Sequence, residues 1–234
     1  DSFGILALTI AIVSIFTIAA NARYELSIML PKNDDDAKSI VFLSIFISLI
    51  LALFVAFVLV LIMYFFDRKD ELLFLFFIIP AIFLVGIFQA LTFWNNRKSR
   101  FKKIAIANIS QTGMTSFTQI LLGIFQFQSL GLLIGYLTGL FLSVITYTKT
   151  KILRINYFIS SIKFSQITKN AYKYREFPYY SMFGALIVSL AQQIPLFFVG
   201  IIFQPEFTGH YGLATRIVLI PVALLSTSFF QVIF

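Results

Sequence analysis

The chain has no cysteine among its 234 residues. That excludes disulfides and thiolate metal sites without identifying a compartment. Charge is scarce too: 12% of residues are charged, where a soluble domain carries about 25%. There is one histidine and there are only ten acids, none of them inside a long apolar run. An exporter of organic cations would favour membrane-embedded acids, which are missing here. An integral-membrane enzyme needs acid and base groups held together in a site, and the sequence supplies few. Basic residues exceed acidic ones, for a net charge of +8. They are split among short gaps and share no soluble face, so nucleic acid is not a partner.

What is abundant is hydrocarbon. Apolar residues make up 59% of the chain, thirty of them Phe, and mean hydropathy is +0.94. A chain this short cannot enclose so much apolar surface in water, so lipid is its solvent. A bilayer core of about 30 Å needs about 20 apolar residues in a helix. Seven segments meet or approach that length: 3–20, 39–66, 72–94, 104–124, 129–148, 177–203 and 211–234. They are continuous rather than alternating, which excludes a β-barrel. The expected fold is an all-α integral membrane bundle of about seven transmembrane helices.

The gaps orient the bundle. Lys and Arg number three in 21–38, five in 95–103 and seven in 149–176; the alternate gaps hold two in 67–71 and none in 125–128 or 204–210. The positive-inside rule makes the basic side cytoplasmic. Segments 3–20 and 211–234 then run in the same direction. Both are entered through aromatic-Gly-aliphatic-small sequence, Phe3-Gly4-Ile5-Leu6-Ala7 and Tyr211-Gly212-Leu213-Ala214. This weak repeat predicts two halves related by an axis along the membrane normal. The second copy has an apolar segment ahead of it and the first has none, so the chain is expected to be an internal fragment of a longer protein. Residues 1–148 then form the remainder of a first bundle, 149–176 a basic connector suited to lying on anionic lipid, and 177–234 the start of a second bundle.

Several polar groups invite a function. Asn108, Gln111, Thr112, Thr115, Thr118 and Gln119 recur at helical spacing as one stripe, which must face protein or a water-filled cavity. Six such groups exceed what packing needs, so a cavity lining is expected. Ser181, Ser189, Gln192 and Gln193 repeat the theme, with Pro195 expected to kink their helix. Gly131, Gly135 and Gly139 suit close helix packing and carry no chemistry. Arg216 is the ionised group inside a span and is expected to face a cavity, with snorkelling as its alternative. Asp34, Asp35 and Asp36 read as a helix-start cluster rather than a cation site. Trp94, Tyr147 and Tyr64, at run ends, read as interfacial anchors.

Together these residues resemble a known family. Phe3-Gly4 to Ala20, then Ala22-Arg23-Tyr24-Glu25-Leu26 with Leu30-Pro31-Lys32 and Asp36-Ala37, resembles the start of the polysaccharide-biosynthesis flippases. These are the O-antigen-unit flippases of the multidrug/oligosaccharidyl-lipid/polysaccharide exporter superfamily. Further matches are Arg97 to Lys103, Gln111, Gly123, Gly131-Leu132 with Gly135, Phe177-Pro178 with Tyr180, Gly209-x-Tyr211-Gly212-Leu213-Ala214-x-Arg216, and Pro221. The resemblance implies family helices two to eight, and alternating-access movement of an undecaprenyl-diphosphate-linked oligosaccharide across the bacterial inner membrane. It implies no catalysis and no cofactor, and leaves the coupling ion open between proton and sodium. Implied partners are the lipid-linked oligosaccharide, membrane lipids, and the polysaccharide polymerase with its chain-length machinery. Arg216 and Arg23 would meet the diphosphate, and Gln111, Gln119, Gln192 and Gln193, with Asn108 and Thr115, the sugars. Arg23 and Glu25 suit a gate or interface anchoring as well as binding. A drug/cation antiporter of the same superfamily is the alternative, and a membrane-embedded glycan-processing enzyme a more distant one.

Overall fold

A computed structural model describes residues 2–66, 72–148, 164–203, 207–215 and 217–218, with side chains from residue 10 in the first helix, to 61 in the third and from 77 in the fourth. No strand occurs among the described residues. The helices are α1 (Ser2–Ala20), a short α2 (Tyr24–Ser27), α3 (Asp34–Phe66), α4 (Leu72–Arg97), α5 (Phe101–Ile124), α6 (Gln128–Thr148), α7 (Phe164–Lys173) and α8 (Met182–Ile202). A π turn, Phe177–Ser181, leads into α8, and residues 207–215 are again helical. Four stretches are long and apolar enough to cross a membrane: Asp34–Leu61, Phe77–Arg97, Ser129–Thr148 and Phe177–Ile202. Segment 104–124 is helical throughout, as α5, but its polar stripe lowers its hydropathy below theirs. Most of segment 211–234 lies outside the described residues.

The side chains of α3 are distributed as lipid requires. Ser39, Ser44 and Ser48 are fully buried, while Phe46, Leu53, Phe54 and Phe57 point outward with at least half their surface exposed. In water this would expose a large apolar patch; in hydrocarbon it keeps hydroxyls on the protein side, where the Ser48 hydroxyl donates to Ile45 O at 2.8 Å. The chain is an all-α membrane protein.

Apolar cores hold the bundle along its length. One joins α1, α3 and α4 through Val13, Ala52, Val55, Ile78 and Ile82. Another sits at the basic end, where Tyr24, Ile28, Ile40, Val41 and Trp94 pack with Ile167, Ala171 and Tyr174 of α7 and the turn after it. The structure therefore brings gap 21–38, gap 95–103 and the described part of 149–176 to one end. Arg97 donates to Ile28 O and Met29 O at 3.2 Å. Lys98 pairs with Asp34, and Lys103 donates to Tyr147 O at 2.5 Å. The three Asp occupy the first turn of α3, as expected for charges facing a helix start.

One expectation needs correction. Trp94 and Tyr147 are buried, not interfacial anchors: Trp94 belongs to the basic-end core, and the Tyr147 hydroxyl meets Thr92 Oγ1 at 3.0 Å beside Phe88. Each has an apolar ring that the converging helix ends enclose. The Tyr64 side chain lies outside the described residues. In α7, Ile167 and Ala171 pack on the basic-end core and Asn170 Nδ2 donates to Ser39 Oγ at 2.7 Å. Residues 149–163 lie outside the described residues. Pro195 lies within α8, and a π turn containing Pro178 leads into that helix.

Candidate functional site

The polar residues picked from the sequence fall into two groups with different surroundings. The first is the seam between α5 and α6. These helices form an antiparallel hairpin, and the glycines of α6 let α5 approach its backbone. A Cβ on Gly139 would lie 2.6 Å from Gln111 O and would collide with Thr115 Oγ1; one on Gly135 would lie 3.1 Å from Thr115 O and would collide with Gln119. Gln119 Nε2 donates to Leu132 O at 2.9 Å, and Thr138 Oγ1 donates to Thr118 Oγ1 at 3.2 Å. Thr115, Thr118 and Gln119 are thus half-buried partners in helix packing, the alternative the stripe allowed. Asn108 and Thr112 are exposed on the flank, where the Thr112 hydroxyl donates to Asn108 O at 3.0 Å. Gln111 is half-buried, with its backbone against Gly139.

The second group surrounds open space. A cavity of about 540 Å³ lies between α1 and α8, lined by Ser14, Ile18, Arg23, Ser189, Gln192 and Gln193 among others. It joins residues more than 160 positions apart that no local pattern connects. Apart from Pro195, α8 is apolar around this face, so Ser189, Gln192 and Gln193 form a polar strip at i, i+3 and i+4. Ser189 is buried. No hydrogen bond from the Gln192 or Gln193 amide to another described residue is formed, unlike that of Gln119. The sequence reading missed Ser14, whose hydroxyl in an apolar helix was the available signal; that hydroxyl donates to Ala11 O at 2.7 Å.

Arg23 reaches the cavity because of how α1 ends. The chain leaves the helix through Ala22 and Arg23, at φ 46° and 62°. Left-handed geometry in residues other than glycine costs about 1–2 kcal/mol each, so neighbours must hold it. Asn21 does so from the core: it is fully buried, and its Nδ2 donates to Gly86 O at 3.1 Å and to Gln89 Oε1 at 3.3 Å. The turn presents Arg23 at the mouth of the cavity with 29% of its side chain exposed.

Glu25 stands behind Arg23. Its side chain is 3% exposed, and Oε1 lies 3.6 Å from Arg23 Nη1. Neither Glu25 Oε2 nor Arg23 Nε has a hydrogen-bond partner among the described residues. Burial raises the Glu25 pKa, and its own backbone and Arg23 offset this only in part. The pair is therefore loosely satisfied: a cation with spare donors faces the cavity, and a carboxylate lies beneath it. Arg216 lies outside the described residues, next to the helical stretch 207–215. Among the described residues no cluster of His, Cys, Asp or Glu could hold a metal ion.

The arrangement suits an anionic, hydroxyl-rich ligand better than a cation, since its charge is a guanidinium and its other donors are amides and hydroxyls. A search of curated proteins and a search of solved structures each gave no match. A family model described as polysaccharide biosynthesis protein matches residues 1–234. With that match over the whole length, this all-α membrane chain belongs to the polysaccharide biosynthesis protein family.

Proposed function

We propose that the protein is a flippase that carries a lipid-linked, diphosphate-bearing oligosaccharide across the bacterial inner membrane, and that the cavity between α1 and α8 is part of its path. One observation carries this reading: Arg23, Gln192, Gln193 and Ser189 converge on one cavity, although sequence alone offered them as separate candidates. Arg23 meets the diphosphate as a charge-assisted donor. The amides of Gln192 and Gln193 meet sugar hydroxyls, while the lipid tail stays in the bilayer. Arg216 is a second cation for the same charge, on the sequence reading of segment 211–234. Among the described residues no acid lines the cavity, which favours this reading over an antiporter of organic cations.

The test is complementation. Full-length protein, wild type or Arg23→Gln, is expressed in a flippase-deleted bacterium, and surface polysaccharide is read on a gel. Wild type should restore polymer. Arg23→Gln should reduce it about 10- to 100-fold at equal protein level, as expected from losing a charged hydrogen bond of about 1.5–3 kcal/mol. Full export by the variant would remove Arg23 from the path. No polymer from inserted wild type, together with drug efflux, would favour the antiporter.

A further inference from the structure

A second cavity, of about 640 Å³, opens at the basic end beside the first. Tyr24, Tyr172, Arg175 and Tyr179 line it, and Met182 and Phe183 form part of its wall. Four separate segments build it: α2, the end of α7 with the turn after it, the π turn and the first turn of α8. The Tyr24 hydroxyl donates to Ala171 O at 2.9 Å, which ties α2 to α7 across the cavity wall. Arg23 and Tyr24 are neighbours in the chain, yet they line different cavities.

The lining is graded. Arg175 is exposed, and its guanidinium lies over the Tyr172 ring, 4.3 Å from the centroid. A guanidinium stacked on one face keeps its N–H edges in plane for an anion. Among the described residues no carboxylate forms an ion pair with it. Tyr172 and Tyr179 are exposed beside it, as amphipathic rings are at headgroup depth. Met182 and Phe183 follow toward the hydrocarbon, within the stretch Phe177–Ile202 that is long enough to span. Cation, phenols and apolar wall therefore succeed one another along the direction in which a lipid presents phosphate, glycerol and acyl chain.

We propose that this cavity binds the headgroup of an anionic phospholipid from the leaflet at the basic end. Arg175 contacts the phosphodiester, and the acyl chains start against Met182 and Phe183. Basic cavities between membrane helices recognise lipid headgroups by this combination of charge and apolar surface. Free phosphate has no tail for the apolar wall, and a zwitterionic lipid carries its own cation. The site is independent of the cargo assigned to the first cavity. A bound lipid also bridges α7, which packs on α3, to α8.

The test titrates purified protein in detergent with dioctanoyl phosphatidylglycerol and counts bound lipid by native mass spectrometry. Dioctanoyl phosphatidylcholine and inorganic phosphate are the comparison probes. Phosphatidylglycerol should bind in preference to phosphatidylcholine, and equal inorganic phosphate should not displace it. Arg175→Gln should weaken its binding about tenfold and Tyr179→Ala by less. Lys169→Gln, on α7 but outside the cavity, and Arg23→Gln should leave it unchanged. Equal binding of both lipids, equal loss in Lys169→Gln, displacement by phosphate, or loss in Arg23→Gln with retention in Arg175→Gln would each overturn the proposal.

Discussion

The α5–α6 seam and the α1–α8 cavity are built from the same residue types and do different things with them. Both place Gln and Ser or Thr on membrane helices at helical spacing. On α5 the partner helix offers glycines, the backbones close up, and Gln119 spends its amide on Leu132 O. On α8 the facing helix offers Ser14 and Ile18 at a distance, and Gln192 and Gln193 face a cavity. Polarity inside a membrane does not itself mark a lumen. The small residues opposite decide whether a polar stripe becomes glue or lining.

The comparison breaks most sharply at Gly139. Gly139→Ala forces a Cβ against Gln111 O and Thr115, and overpacking of this kind costs about 1–3 kcal/mol. Thermal unfolding in detergent should show this loss. Gly184→Ala, with open space around the added carbon, is the matched control in α8 and should cost far less. A seam that tolerated both equally would not be close-packed.

An intermediate effect is expected at Glu25, under the cavity mouth. Its pKa is raised in the folded state. The folded protein therefore holds a proton that the unfolded chain releases, over the window from the ordinary glutamate value of about 4.5 up to the raised value. Stability falls as pH rises through that window. Glu25→Gln should raise the melting temperature at neutral pH, by about 2–4 °C for each 1 kcal/mol recovered, and the gain should vanish as pH falls toward 4.5. A pH-independent gain would assign the effect to packing.

The smallest effect sharpens the comparison itself. Gln119→Ala should cost about 0.6 kcal/mol of stability, the average for a membrane hydrogen bond, and leave export nearly unchanged. Gln192→Ala should do the reverse. The pair is read by melting temperature and polymer yield on the same samples.

Much of the fold was legible in the sequence because lipid imposes a simple length rule. Segments 72–94 and 129–148 fall within α4 and α6, and 39–66 within α3. The basic gaps meet at one end because two long helices separate each from the next. The side chains around those gaps were less legible. Trp94 and Tyr147 carry the composition of interfacial anchors, and only the converging helix ends show that they are enclosed. The stripe on α5 gave its period but not its neighbour: Gly135 and Gly139 were readable as a packing face, without a sign that this face meets Thr115 and Gln119. Arg23, Gln192 and Gln193 were legible as individual candidates. Their meeting depends on a left-handed turn at Ala22–Arg23 held by Asn21, which no spacing in the sequence announces.

The docking of α7 has a mechanical consequence. Asn170 bonds to Ser39 and Asp36, and Tyr24 to Ala171, so that α7 is bolted onto α3 although the chain order places it next to α8. Between this bolted piece and the shaft of α8 stand only the turn at Tyr174 and Arg175 and the wide π turn. Any swing of α8 against the helices before it concentrates its torsion there. The few residues around Pro178, between a docked helix and a long shaft, are then the joint on which such a swing would bear.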